Sequence, residues 1–199
     1  MPHPNKLLRE YKKLHRFYEN GAIFTAIDTE TTGNSSKTCR IIEIGAVMFS
    51  KNGIIKTYNK LFNPECYITP FITDLTHITN EMVASCPPLK NHIKEFIDLL
   101  DDSILIAHNA RFDLNFINME CEKAGLKETK NNAIDTLQYS RWAFPDTENH
   151  RLSYLADYFQ IDKGNSHRAL DDAYTCMSLF LKCVEKGISL SYEEPLQDQ

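Results

Sequence analysis

The sequence predicts an α/β domain: a mixed five-stranded sheet, with three antiparallel strands followed by two more, and helices on both faces. Two observations predict it. Three β-rich segments come first in the chain, and the Asn52-Gly53 pair between the second and third is a strong hairpin signal. Amphipathic segments then alternate with short apolar runs, which is typical of helices that pack on a sheet.

Each strand is predicted from a short apolar or β-branched run. The five predicted strands cover residues 22–28, 40–50, 54–62, 104–107 and 133–135. The stretch 63–88 contains four prolines and is expected to be irregular.

Each helix is predicted from apolar residues at helical spacing. The predicted helices cover residues 5–20, 89–100, 110–124, 136–143, 152–159 and 169–186. Gly21, Gly125 and Gly187 follow three of them and are expected to act as helix stops.

The predicted organisation is an N-terminal amphipathic helix within residues 1–20, one domain over 21–187 and a polar tail over 188–199. One face of the N-terminal helix is strongly basic. A solvated helix face is the favoured interpretation, and a contact with nucleic acid is the alternative. The basic residues of this face are Lys6, Arg9, Lys12, Lys13 and Arg16.

Composition sets broad limits on function. The 199 residues are 42% hydrophobic and 25% charged, as in a globular protein rather than a disordered one. No apolar run approaches the roughly 20 residues of a membrane span, and the N-terminus lacks an apolar signal region, so we expect a cytoplasmic protein without a membrane partner. Six scattered cysteines without a Cys-x-x-Cys pair indicate core thiols in a reducing compartment.

The net charge of −5 provides no overall basic field to attract nucleic acid. A carboxylate site with bound divalent cations would nevertheless restore positive charge locally.

Two acidic residues end the first predicted strand. Asp28 and Glu30 are two residues apart, so their side chains point to one face of the strand. Two carboxylates on one face repel each other unless a cation lies between them, and Mg²⁺ prefers such oxygen ligands. A solvated acidic loop after the strand is the equally weighted alternative.

Asp113 lies near the middle of the apolar arc of the predicted helix 110–124. An unpaired carboxylate in that position would be costly, so it must be paired, neutralised or bound to a metal. The structural alternative is an ion pair with Arg111 or His108. We interpret His108 as a residue that orients the region of Asp113, or caps the helix, rather than as a ligand.

The last predicted helix separates two adjacent acids. Asp172 shares its face with Cys176 and Leu179, so it should point inward, whereas Asp171 should be mainly solvated. His167 is most easily placed in the loop before this helix. A histidine beside a carboxylate cluster suits a general base at neutral pH, and an exposed surface histidine is the alternative.

Together these residues resemble a known set of three motifs. The motifs are DTETTG over residues 28–33, HNARFDLNF over 108–116 and HRALDDA over 167–173. They resemble the exonuclease motifs of the DEDD superfamily, and the histidine five residues before the last aspartate matches its histidine branch. The closest likeness is to the epsilon-type proofreading exonucleases of bacterial replicative DNA polymerase, from about residue 22 to residue 187.

The resemblance implies an RNase H-like fold and a 3′→5′ exonuclease that releases nucleoside 5′-monophosphates. It makes Asp28, Glu30, Asp113 and Asp172 ligands of two divalent ions, Mg²⁺ or Mn²⁺, and His167 the general base. It also implies substrate contacts, although His77 stands where the family often has glycine. The residues carried over as substrate contacts are Thr31, His77, Ile78 and Asn109.

The implied partner is the single-stranded or frayed 3′ end of DNA, with a DNA polymerase subunit as a further partner. An exoribonuclease that trims RNA is the alternative within the same class, because contacts to the 2′-hydroxyl decide between the two substrates. A non-catalytic accessory domain of a polymerase is the less favoured alternative, because all five motif positions are filled.

Overall fold

A computed structural model describes residues 5–193. It contains one five-stranded sheet in the order β3-β2-β1-β4-β5, in which β1–β2 and β2–β3 are antiparallel and β1–β4 and β4–β5 are parallel. The predicted mixed sheet is therefore confirmed. The strands are β1 (Phe24–Thr31), β2 (Ile41–Ser50), β3 (Gly53–Leu61), β4 (Ile104–Ala107) and β5 (Ala133–Asp135).

Eight α-helices and one 3₁₀ turn (Leu89–Asn91) lie within the described residues. None of these helices is both long and apolar enough to cross a membrane. The α-helices are α1 (Tyr11–Glu19), α2 (Pro70–Thr76), α3 (Asn80–Ala84), α4 (Ile93–Leu100), α5 (Arg111–Lys123), α6 (Thr136–Ala143), α7 (Leu152–Tyr158) and α8 (Ala169–Glu193).

Two apolar clusters cover the two faces of the sheet. Because neighbouring residues of a strand point to opposite faces, Phe24 of β1 packs in one cluster with Phe180 of α8, and Ile27 packs in the other with Phe96 of α4 and Leu114 of α5. The expectation of helices on both faces is confirmed.

The N-terminal helix is shorter than predicted. It begins at Tyr11, and the residues before it run along the edge strand β5. The Leu8 N–H donates to the Ala133 carbonyl at 2.8 Å, and the Ala133 N–H donates to the Lys6 carbonyl at 2.9 Å. Backbone N–H and C=O groups of an edge strand are stabilised by hydrogen-bond partners. The hydrogen bonds to β5 therefore keep the segment before α1 extended, although residues 5–10 have apolar side chains at helical spacing.

The predicted stop at Gly187 is wrong, because α8 continues to Glu193. A Cβ atom at Gly187 would lie 3.2 Å from the Tyr139 hydroxyl and 3.3 Å from His15 Nδ1. The glycine therefore permits close packing of α8 on α1 and α6 rather than ending the helix. The predicted tail over 188–199 begins as helix, and 194–199 lie outside the described residues.

The stretch predicted as irregular, 63–88, contains α2 and α3. Each begins after a threonine whose hydroxyl accepts a backbone N–H: Thr69 from Ile72, and Thr79 from Met82. Helices of seven and five residues are too short to show a periodic pattern. The division of the chain into 1–20, 21–187 and 188–199 stays a prediction.

Candidate active site

The first pair of predicted site residues lies within β1, which extends past its predicted end to Thr31. Asp28 faces Gly45 across the sheet, and Glu30 faces Glu43. Both carboxylates therefore project from a strand that is held by ladder hydrogen bonds rather than from a flexible loop.

Asp113 lies in the first turn of α5 and is only 3% exposed. Its Oδ1 accepts a hydrogen bond of 2.8 Å from the Thr29 hydroxyl. Within residues 5–193 Asp113 forms no salt bridge, so neither Arg111 nor His108 is its ion-pair partner.

His108 supports the neighbouring segments. Its Nδ1 lies 3.0 Å from the Thr136 hydroxyl, and its Nε2 lies 2.8 Å from the His150 carbonyl. Burial lowers the pKa of His108 to about 4, so the ring is neutral at pH 7.

His167 and Asp172 are joined at the start of α8. His167 is exposed, has a left-handed backbone (φ 65°), and donates its N–H to Asp172 Oδ2 at 2.9 Å. Glu30, His167 and Asp172 each offer a ligand atom within 4.8 Å of the others. The structure thus brings a side chain of β1 together with two side chains at the start of α8, in a group that could hold a metal ion.

The four predicted carboxylates influence one another. Burial and then the Asp113 and Glu30 carboxylates raise the pKa of Asp28 well above its ordinary value. Burial and then Asp172 raise the pKa of Glu30 to about 8, and burial raises that of Asp113 to about 7. Burial also raises the pKa of Asp172. Crowded carboxyl oxygens of this kind fit Mg²⁺ or Mn²⁺, which favour the ionised form.

Glu43 was missed in the sequence analysis. It is fully buried in β2 and accepts hydrogen bonds from Arg168 Nη2 at 2.7 Å, from Arg168 Nε at 3.1 Å and from the Ala169 N–H at 3.0 Å. A charged residue within the apolar run of β2 was the available signal. Glu43 fixes the residues between His167 and Asp172 against the sheet.

The predicted substrate contacts lie in different environments. Ile78 has no exposed surface and packs with Ile42 and Ile68, so its side chain offers nothing to a substrate in this structure. Thr31 is buried and donates its hydroxyl to the Gly33 carbonyl at 2.8 Å. Asn109 is exposed, and its N–H donates to Asp135 Oδ1 at 3.1 Å.

His77 is exposed and ends α2 with a left-handed backbone (φ 58°). This conformation explains why glycine suits the position. We expect His77→Gly to raise the free energy of unfolding by about 0.5–1 kcal/mol, because glycine adopts a positive φ without a steric cost.

The matched control for His77→Gly is Gln160→Gly, which relieves a similar φ of 55°. Both variants should raise Tm in thermal denaturation. If the His77 ring contacts the substrate, only His77→Gly should also lower kcat/KM. An unchanged kcat/KM would contradict that contact.

Asp171 is half-buried rather than mainly solvated. Its Oδ2 accepts the Asn165 N–H at 2.8 Å, so it holds the loop that leads to His167.

Three variants separate the roles of Asp171 and Asp172. Asp172→Asn should lower kcat at least about 100-fold, since loss of a predicted metal ligand should exceed the 10–100-fold cost of disturbing residues that support such a ligand. Asp171→Asn keeps an acceptor oxygen and should retain most activity. Asp171→Ala frees the loop and should give an intermediate loss. Comparable losses for the two asparagine variants, measured in steady-state assays of folded protein, would contradict this assignment.

Four crowded carboxylates and a histidine beside the central strand β1 are typical of carboxylate-based, metal-dependent hydrolases. The comparison with protein families agrees. The model described as "Exonuclease" (RNase_T) matches residues 25–180, and the chain belongs to this family. The family predicted from the sequence is confirmed.

Curated relatives support the same family. The chain is 38% identical over 159 residues to the DNA polymerase III subunit epsilon of Treponema pallidum, covering 79% of the chain and 74% of that protein. It is also 38% identical over 163 residues to the PolC-type DNA polymerase III of Caldanaerobacter subterraneus, covering 82% of the chain. The chain spans only 12% of that polymerase.

A third relative is the 3′-5′ exonuclease DinG of Bacillus subtilis, 38% identical over 170 residues, which cover 85% of the chain and 18% of that protein. Among solved structures, exonuclease I matches with a TM-score of 0.74 at 17% identity, over 86% of this chain and 44% of that chain. Exonuclease X in complex with 5′ overhanging duplex DNA matches with a TM-score of 0.61 at 25% identity, over 86% of this chain and 93% of that chain. The predicted RNase H-like fold is confirmed.

Proposed function

We propose that the protein is a metal-dependent 3′→5′ exonuclease that removes nucleoside 5′-monophosphates from DNA. One observation carries the proposal: Glu30, Asp172 and His167 converge at one point beside Asp28 and Asp113. Membership of the exonuclease family and the name of the Bacillus subtilis relative support both the reaction class and its direction.

In this proposal the four carboxylates hold two divalent cations, Mg²⁺ or Mn²⁺. When bound, these ions would lower the pKa of the attacking water and stabilise charge on the phosphate. A donor set made of carboxylate oxygens fits hard cations of this kind.

The protein side chains have separate roles in the proposed hydrolysis. His167 accepts one proton of the attacking water as the water oxygen bonds to phosphorus. The bond from phosphorus to the 3′-oxygen of the preceding nucleotide breaks, and that oxygen takes a proton from solvent and becomes the new 3′-hydroxyl of the strand. Glu43 positions the chain directly after His167 through Arg168 and Ala169. His167 is exposed before α8, so its ring is accessible to solvent and substrate.

DNA is favoured over RNA by the names of the polymerase and DinG relatives. One structure of the same fold, at 21% identity and a TM-score of 0.72, is titled for recognition of a histone mRNA stem-loop by a 3′-exonuclease. The fold therefore accommodates both substrates, and RNA trimming is the second candidate. An association with a DNA polymerase and a cytoplasmic location belong to the same proposal.

The test is cleavage of a 5′-labelled DNA oligonucleotide and its RNA twin with Mg²⁺, Mn²⁺ or EDTA. We expect a metal-dependent ladder that shortens from the 3′ end, with faster cleavage of DNA. Faster cleavage of RNA would favour the exoribonuclease. No cleavage of either by folded protein would overturn the proposal and favour a non-catalytic accessory domain.

A further inference from the structure

The N-terminal segment forms a basic cleft that none of the four candidate metal-binding carboxylates lines. Its volume is about 440 Å³, and four of its lining residues are cations: Lys6, Arg9, Lys13 and Arg16. Phe17 also lines this cleft, and its side chain is 41% exposed. We call this feature the N-terminal cleft.

The cations of the N-terminal cleft are largely unneutralised. Lys13 pairs with Glu10 at 3.0 Å. Across the described part of the chain, Lys6, Arg9 and Arg16 take part in no salt bridge. A protein with a net charge of −5 therefore concentrates positive charge at this one segment.

A second cleft, of about 380 Å³, extends from this segment to the start of α5. It shares Leu7, Leu8 and Arg9 with the N-terminal cleft and extends to Asn109 and Arg111. Arg111 begins the helix that carries Asp113 two residues later.

One acid, Asp135, also lines the second cleft. Its Oδ1 accepts the backbone N–H groups of Asn109 at 3.1 Å and Leu137 at 3.0 Å. These two hydrogen bonds disperse part of its negative charge. The path from α5 to Arg16 therefore contains four cations and one hydrogen-bonded acid outside the Glu10–Lys13 pair.

Cations that track a backbone, interleaved with an exposed aromatic ring, are the features by which proteins bind single-stranded nucleic acid. We propose that the N-terminal cleft binds the unpaired substrate strand on the 5′ side of the nucleotide being removed. Arg9, Lys6 and Arg16 contact phosphates, and the Phe17 ring stacks on a base. An unpaired strand is favoured over a duplex because stacking on Phe17 requires an exposed base face.

This inference rests on the proposed function for the direction of the strand, but its first test does not require cleavage. A fluorescent 20-nucleotide DNA is titrated in EDTA with wild-type protein and with the triple variant Lys6→Gln, Arg9→Gln, Arg16→Gln. We expect Kd to rise by roughly one to two orders of magnitude at 0.1 M salt. The salt slope of log Kd should fall by about two, since each phosphate contact with a single strand contributes about 0.7.

The matched control removes three exposed cations elsewhere: Lys56→Gln, Lys127→Gln, Lys130→Gln. This control has the same net charge as the triple variant in the N-terminal cleft. It therefore measures how much Kd changes when three positive charges are lost outside the cleft. Phe17→Ala should raise Kd at least about fivefold through lost stacking, whereas Tyr192→Ala, at an 82% exposed aromatic residue, should not.

Cleavage with Mg²⁺ provides the second test. The cleft variant should lose kcat/KM on the 20-nucleotide strand but cleave a dinucleotide at the wild-type rate, because a dinucleotide does not reach the cleft. Equal losses on both substrates would overturn the inference, since the substitutions would then act on the fold or the active site.

The two proposals fail in distinguishable ways. If the cleft variant binds the 20-nucleotide strand as tightly as its charge-matched control, the proposal that the N-terminal cleft binds DNA is overturned. The proposed exonuclease function is unaffected by that result. The basic surface of the cleft would then serve a different partner. If wild-type protein cleaves nothing while the cleft variant loses binding, the exonuclease fails and the single-strand site stands.

Discussion

Asp113→Asn should abolish cleavage and at the same time stabilise the metal-free protein. Activity should fall at least about 100-fold, because the substitution removes a proposed metal ligand in the first turn of α5. Asparagine retains an oxygen that accepts the Thr29 hydroxyl, so the local hydrogen bond of 2.8 Å survives.

The stabilisation follows from the pKa of Asp113, which burial raises from 3.8 to about 7 in the folded protein. A group with a raised pKa contributes stability below its unfolded pKa and loses it as pH rises through its folded pKa. At pH 8 in EDTA, wild-type protein carries a buried charge that the variant lacks. We expect a gain of about 2–4 kcal/mol, or roughly 5–10 °C in Tm, for the variant.

The pH dependence separates this explanation from general stabilisation. At pH 4 the wild-type carboxyl is protonated when folded, and the difference in Tm should become small. Added Mg²⁺ at pH 8 should raise the Tm of wild-type protein more than that of the variant. Equal Mg²⁺ effects on the two proteins would contradict the proposed metal site. A variant less stable than wild type at pH 8 in EDTA would contradict the raised pKa of Asp113.

Gly45→Ala should strongly destabilise the protein. Gly45 lies in β2 opposite Asp28, and an added Cβ would be far inside van der Waals contact with the backbone of Ala169 and Leu170. Backbone atoms do not rotate away, so the start of α8 must shift. We expect a loss of about 3 kcal/mol, at the upper end of overpacking effects.

Activity should fall with stability, since α8 carries Asp172 and its first residue binds Glu43. The control is Gly187→Ala on the same helix, where the nearest contacts are side-chain atoms of Tyr139 and His15 rather than backbone. At Gly187 the higher helix propensity of alanine offsets the crowding of its Cβ atom, so the free energy of unfolding should change by less than about 1 kcal/mol. Denaturant titration gives the free energies, and kcat is measured where both variants are folded. Wild-type kcat in folded Gly45→Ala would contradict the role of this close contact.

Local sequence patterns were sufficient to predict the elements whose boundaries depend mainly on their own residues. The hairpin at Gly53, the strand at Ile104–Ala107 and the helix over Thr136–Ala143 begin or end within a residue or two of their predicted positions. Strand and helix periodicity require only that one face be buried, which a single sequence displays.

Sequence patterns gave the wrong secondary structure where contacts with another element of the fold changed the conformation. Residues 6–8 pair with β5 because an edge strand needs partners, and Gly187 continues a helix because α1 and α6 approach it closely. Asp172 lies near Glu30 and His167, whereas Asp171, predicted to be mainly solvated, is half-buried. Asp171 accepts the N–H of Asn165, and the helical pattern alone does not show how close that loop residue comes.

The sequence by itself determined the succession of the strands along the chain and three motifs that resemble the exonuclease family. The five residues proposed for catalysis follow from that resemblance, because the motifs depend on residue type and spacing along the chain. The tertiary structure alone decided that Ile78 is interior, that Glu43 binds Arg168, and that the N-terminal cations line a cleft. Such facts arise from contacts between segments far apart in the chain. Burial, charge and hydrogen bonding at those contacts are set only when the segments meet.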